Sequence, residues 1–234
     1  MAHIIQFVVL AGLLLVSPGM ALGQDTSERL ADRVLGAADA PVTMIEYSSL
    51  TCPHCADFHL HTLPQIKTAY IETGKVKLIF RDFPLDPRAL AAAMVARCVD
   101  ASRYYGFLDL LFRDQKTWAT SDDVLHELKV RAQLALLPEE QFDACVQDRS
   151  LAQAIESRAR QVREERGINS TPSFVIDDVL VRGAVPFERF QSVIDARLRG
   201  EDPRQTESSA DPPETEPGFA GKVWNAVKRL WRSE

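Results

Sequence analysis

Two cysteines separated by two residues, Cys52 and Cys55, lie in the stretch MIEYSSLTCPHCADFH at positions 44–59. An apolar, β-rich run precedes them and a helix-spaced run follows, so Cys52 falls at a helix amino terminus. There the unpaired backbone N–H groups and the positive end of the helix dipole favour a thiolate over a thiol. The chemistry this permits is thiol–disulfide exchange. Cys52 is the expected nucleophile, with an exposed sulfur, and Cys55, one turn deeper, is shielded and placed to close or resolve a disulfide with it. Pro53 suits the first helical turn, and His54 adds a polar or cationic group beside the sulfur. Two other uses of the pair compete. A structural disulfide one turn long would staple almost nothing, and a zinc site completed by His59 or His61 lacks a second C-x-x-C or H-x-x-H pair. No metal and no organic cofactor is expected.

The elements that must position this pair follow an α/β pattern. APVTMIEYSS, 40–49, reads as a buried strand, and CADFHLHTLPQIKTAYIETG, 55–74, as a helix ending on Gly74 with a kink at Pro64. KVKLIFRDFPL, 75–85, is a second strand closed by Pro84 and Pro87, which makes a βαβ unit with parallel pairing. From about 88 to 167 strand signals vanish, and four or five helices are expected, broken near Arg103, Trp118, Pro138 and Arg149. Strand character returns in PSFVIDDVLVRGA, 172–184, where Asp177 and Asp178 form the turn of an antiparallel hairpin. PFERFQSVIDARL, 186–198, closes the body as a helix with Pro186 in its first turn. The architecture expected is one α/β domain interrupted by an all-helical insertion.

The flanks differ from the body. The opening run IIQFVVLAGLLLVSPGMALG is apolar and uncharged, with small residues at Ala21 and Gly23, so residues 1–23 are expected to be a cleaved secretory signal peptide. The body then spans 24–200. Residues 201–220 hold six acids against one Arg, and the Pro-rich segment 201–221 is expected to be a disordered linker. It leads to KVWNAVKRLWRSE, 222–234, a short basic amphipathic helix with Val223, Trp224, Val227, Leu230 and Trp231 on one face, suited to a membrane surface or a partner groove. The net charge of −6 gives no basis for nucleic acid as a partner. The four cysteines, an even number in an exported chain, allow three pairings, of which Cys52–Cys55 is the local one.

These features resemble the DsbA family of periplasmic thiol-disulfide oxidoreductases, in the thioredoxin superfamily and of alphaproteobacterial type. The resemblance covers about residues 36–198 and rests on the C-P-H-C motif of Cys52, Pro53, His54 and Cys55. It implies a thioredoxin-like fold interrupted by the helical insertion subdomain. It implies that Thr171 and Pro172 form a cis-proline loop against the active-site sulfurs, where an extended substrate pairs with backbone. Glu46, six residues before Cys52, matches the family's buried acid and would accept or relay the proton of Cys55. Cys98 and Cys145 match the second, structural disulfide of some members; closing that loop would stabilise by on the order of 4 kcal/mol.

The function implied is introduction of disulfides into reduced or unfolded exported proteins in the periplasm. A DsbB-like quinone-linked membrane oxidase would restore the Cys52–Cys55 disulfide, and 222–234 would hold the enzyme near the inner membrane. Thr171 departs from the Val of the best-known enterobacterial oxidases and is shared with isomerases. A reductase or isomerase is therefore the nearest alternative, and a chaperone-like binder of unfolded chains is the alternative of a different class.

Overall fold

The structure, a computed structural model, describes residues 26–202. The expected leader 1–23, nearly all of the linker 201–221 and the segment 222–234 lie outside the described residues.

A short helix α1, Thr26–Arg29, leads into strand β1, Val34–Leu35, and strand β2, Val42–Ser48. Helix α2, Pro53–Asp57, runs through a π-helical turn at Phe58–Thr62 into α3, Leu63–Ile66, and a second π-helical turn at Lys67–Ile71. At Pro64, where the sequence predicts a kink, the helix is widened. The amide of Leu63 reaches back to Phe58 O, and the wider turn accommodates a ring that has no N–H to give.

Strand β3, Val76–Asp82, pairs in parallel with β2 along all seven residues, as the βαβ reading requires. After the insertion come β4, Ser173–Ile176, and β5, Val179–Arg182, an antiparallel hairpin turned at Asp177 and Asp178. Asp177 takes the left-handed conformation at φ 53° and receives the Thr43 amide on its side chain at 2.9 Å. The sheet order is β1-β3-β2-β4-β5, with β2 at the centre. The two-residue β1, antiparallel to β3, is an addition that its length hid from any periodicity argument. The body closes with α10, Phe187–Leu198, where Pro186 stands at the N-cap, one position earlier than its sequence role implied.

The insertion contains six α-helices among the described residues, more than the four or five expected. They are α4, Pro87–Cys98; α5, Tyr104–Arg113; α6, Gln115–Ala119; α7, Val124–Leu134; α8, Glu139–Gln147; and α9, Arg149–Arg166. The extra element is α6, whose five residues are too few to show a helical period. Aspartates start three of these helices: Asp86, Asp123 and Asp148 each accept an amide of the first turn at 2.9–3.0 Å. Gly167, at φ 62°, ends α9 in the left-handed conformation that a residue with a Cβ adopts only with strain.

The sheet divides the core. Met44, Leu78, Phe174 and Ile176 pack with Phe58, Leu63, Ile66 and the α10 residues Phe190 and Ile194. The opposite face carries Tyr47, Phe83, Ile168 and Val175 against Ala159 of α9. The insertion has its own core around Trp118, Tyr104, Phe107 and Phe112, and it shares Phe80, Leu50, Cys52 and Cys55 with the sheet domain. The two halves therefore meet at the cysteine pair.

One buried ion pair fastens the insertion to the sheet. Arg97 of α4 donates to Asp82 of β3 at 2.7 Å, with side chains 3% and 5% exposed, and also to Phe80 O and Ala31 O. The Arg97 bond is to Asp82 Oδ2, and Asp82 Oδ1 is buried with no hydrogen-bond partner. Arg97→Met therefore leaves a buried carboxylate without its cation, and the unfolding free energy is expected to fall by about 3–5 kcal/mol in urea titrations.

Candidate active site

The site forms where β2 ends. The chain turns through Ser49 to Thr51, with the Cys52 amide bonded to Ser49 O at 3.1 Å, and enters α2 with Cys52 as its N-cap in an extended conformation. Pro53 occupies the first helical position, where its missing N–H costs nothing. Two ties hold this turn. Thr51 donates to Asp86 Oδ2 at 2.5 Å, joining it to the cap of α4. Gln115 of α6, 6% exposed, donates to Leu50 O at 2.8 Å and Cys52 O at 3.0 Å. Gln115 carried no sequence signal, because nothing in a five-residue helix announces that its side chain reaches back across 63 residues.

Cys52 and Cys55 are free thiols in opposite environments. The Cys52 thiol is lowered to about 5. The hydrogen bond from the Cys55 thiol is the largest cause; partial burial opposes it, and Thr171 and the amides of Cys55 and His54 add to it. The Cys55 thiol is pushed far above its ordinary value by burial first, then by the bond to Cys52 and the negative charges of Cys52 and Glu46. A thiolate therefore resides on Cys52. It is less open than expected, at 7% exposed against 0% for Cys55, so attack on it follows a narrow line.

The residue facing that sulfur comes from the other end of the chain. The Thr171–Pro172 peptide bond is cis, and Thr171 O lies 3.5 Å from Cys52 Sγ. Pro172 is buried and Thr171 half-buried, with its hydroxyl shielded and unpartnered. His54 and Pro53 are exposed beside the cysteines, and the contribution of His54 to the thiolate comes through its backbone amide. Cys98 and Cys145 are bonded to each other, joining the end of α4 to α8 within the insertion.

Glu46 is fully buried on β2, in register between Phe80 of β3 and Phe174 of β4. Both of its oxygens lie 3.0 Å from His59 Nε2. His59, whose side chain is 1% exposed, stacks on Phe112 at 4.0 Å, and its Nδ1 is 3.9 Å from Asp109 Oδ1. Burial works to neutralise the imidazole, but the charge of Glu46 and the nearby Asp109 carboxylate outweigh it and raise its pKa to about 9. The sequence argument weighed His59 only as a zinc ligand. Instead it is the counter-ion of Glu46, whereas His61 is exposed and faces Asp57. Its spacing could have been informative: a helical residue four after Cys55 points to the same side as Cys55. Among the described residues, no group of three or more His, Cys, Asp and Glu side chains is arranged to hold a metal.

An asymmetric dithiol at a helix start, faced by a cis-proline loop where the interior strands β2 and β4 of a mixed sheet end and begin, defines a thioredoxin-fold protein with a dithiol site. The sequence matches the family described as Thioredoxin over residues 28–196. The solved alpha-DsbA1 of Wolbachia pipientis is similar at 37% identity, with a TM-score of 0.68 over 73% of this chain and 92% of that one. The chain belongs to the thioredoxin family, in its DsbA-like branch. A Rickettsia bellii protein provisionally named as a protein-disulfide oxidoreductase is 30% identical over 149 residues, 63% of this chain and 58% of that one. The chain thus spans about three-fifths of the length of that relative. Disulfide bond formation protein D of Bacillus subtilis is 25% identical over 175 residues, 71% of this chain and 77% of that one.

Two titrations check this electrostatic arrangement. In the reduced protein, thiolate absorbance near 240 nm is expected to titrate with a midpoint of about 5 and to lose that step in Cys52→Ala. Because the folded value lies below that of a free thiol, the associated stability is complete above the free-thiol value near 9 and is lost progressively as pH falls to about 5. His59 has the opposite sign. Its folded value is raised, so its stabilisation is complete below the unfolded value near 6.5 and is lost as pH rises through about 9. The difference in unfolding free energy between wild type and His59→Gln should shrink by about 3 kcal/mol over that window.

Proposed function

We propose that the protein is a periplasmic thiol-disulfide oxidoreductase that introduces disulfides into reduced, exported proteins through Cys52 and Cys55. The observation that carries this reading is the asymmetry of the pair: a thiolate stabilised on Cys52 at the start of α2, with its partner buried and protonated. A stabilised thiolate favours the reduced form, which makes the disulfide a stronger oxidant.

In the oxidised enzyme a substrate thiolate attacks Cys52 Sγ. The Cys52–Cys55 bond breaks, its electron pair stays on Cys55, and a mixed disulfide forms beside the Thr171 carbonyl. A second substrate thiolate then attacks the substrate sulfur, and Cys52 leaves as a thiolate with the electron pair. The substrate is oxidised by two electrons and the enzyme pair is reduced. Thr171 and Pro172 offer backbone to an extended substrate, Pro53 and His54 shape the start of α2, and Glu46 supplies or accepts the proton of Cys55. Cys98–Cys145 is a structural bond. No cofactor takes part in these steps.

A DsbB-like quinone-linked membrane protein would reoxidise the pair. Residues 1–23 would export the chain, and 222–234 would rest on the membrane surface; no helix of the described residues is long and apolar enough to cross a membrane. Thr171, shielded beside Cys52, keeps a reductase or isomerase role as the competing reading.

The decisive measurement is the equilibrium potential of the Cys52–Cys55 couple in glutathione buffers, paired with oxidation of a reduced, unfolded protein. A potential near the roughly −120 mV of DsbA, with oxidation abolished in Cys52→Ser, is the expected result. A potential near about −270 mV, as in thioredoxin, would replace the oxidase with a reductase. Retention of unfolded-chain binding as the only activity, unchanged in Cys52→Ser, would point to a chaperone.

A further inference from the structure

Cys55 is fully buried, so a proton reaching or leaving its sulfur travels through the protein interior. The polar path from there leads away from the active-site face. Glu46 lies close enough to Cys55 for its charge to act on the thiol. His59 Nε2 lies 3.0 Å from both Glu46 oxygens. On its far side, His59 Nδ1 is buried without a hydrogen-bond partner and faces Asp109 Oδ1 at 3.9 Å. His59 and Asp109 line a cavity of about 300 Å³ together with Lys67, Glu72 and Arg113. None of residues 52–55 or 171–172 lines it, so this opening is separate from the place where a substrate covers Cys52.

Resting on the oxidoreductase reading above, we propose that His59 is a positioning residue for the proton step at Cys55, acting through Glu46 and in contact with solvent at the Asp109 cavity. When a substrate thiolate breaks the Cys52–Cys55 bond, the electron pair remains on Cys55 Sγ. Glu46 takes the Nε2 proton of His59 and passes it to the new thiolate. One S–H bond forms and one N–H bond breaks, so the thiolate and imidazolium charges cancel and the Glu46 carboxylate alone keeps its charge.

His59 keeps its Nδ1 proton toward Asp109. On reoxidation the proton returns from Cys55 through Glu46 to Nε2, so a ring stacked on Phe112 completes the cycle without turning over. The direction is favourable, because the Cys55 thiol is raised well beyond the imidazole. The titratable groups around the ring are Glu46 from β2, Asp109 and Arg113 from α5, and Lys67 and Glu72 from its own helical segment.

The test uses the full-length oxidised protein. Its reduction by a reduced dithiol peptide is followed by quenched-flow thiol trapping from pH 5 to 10, with rates expressed per peptide thiolate. The wild-type rate is expected to hold at neutral pH and fall as pH passes about 9. H59Q should be roughly 100-fold slower at pH 7, the lower range for a positioned proton donor, and lack that fall. H59K should recover most of the neutral rate and carry the fall to higher pH. D109N, at a position whose side chain is 41% exposed, should move the fall to lower pH.

A folded H59Q with wild-type rate and profile overturns the inference while leaving the oxidoreductase reading intact. If H59Q does not fold, an unchanged D109N profile overturns it. A wild-type protein that does not react with the peptide overturns the functional reading itself.

Discussion

Strand β2 is paired along both edges, with β3 in parallel and β4 antiparallel, and both of its faces are covered. Any polar atom it carries inward must find a partner inside the protein, because water cannot supply one. Glu46 is such a group. An ionised carboxylate between two phenylalanines is costly unless a cation meets it, and His59 is positioned to do so. The π-helical turn at Phe58–Thr62 belongs to this solution, since it buries Phe58 and His59 while Leu60 and His61 face outward. Widened turns of this kind recur where a helix must aim a particular side chain.

The same strand delivers the cysteine pair, and its end explains why two identical side chains differ. Cys52 stands at the helix start, among amides without intrahelical partners, whereas Cys55 is one turn in and sealed between the sheet domain and the insertion. The insertion is therefore part of the site and not an appendage. Gln115 holds the carbonyls of Leu50 and Cys52, Asp86 holds Thr51, and Phe112 supports the His59 ring. The Arg97–Asp82 pair keeps α4 seated on β3, which fixes the helices that present these side chains.

Read from residues alone, the long elements were legible. The two apolar runs around Cys52, the hairpin at Asp177–Asp178 and the closing helix fall where period and turn chemistry place them. So do the helix breaks near Arg103, Pro138 and Arg149, because aspartate caps, proline and glycine act within a few residues of the boundary they set. The two-residue β1 and five-residue α6 were not legible, since neither is long enough to show a period.

What the sequence determined by itself was the local chemistry: a cysteine at a helix start after a buried strand, and hence which sulfur holds the negative charge. Tertiary structure decided the partners. Thr171 O reaches Cys52 across 119 residues, Gln115 reaches Cys52 O across 63, and Phe112 stacks on His59 only because the insertion folds back over the sheet. It also decided that His59 pairs with Glu46, a choice set by which buried charge lies within 3.0 Å of the ring. Spacing along a chain specifies neighbours one turn or one strand away; charge pairing in a core depends on distances that only the packed fold defines.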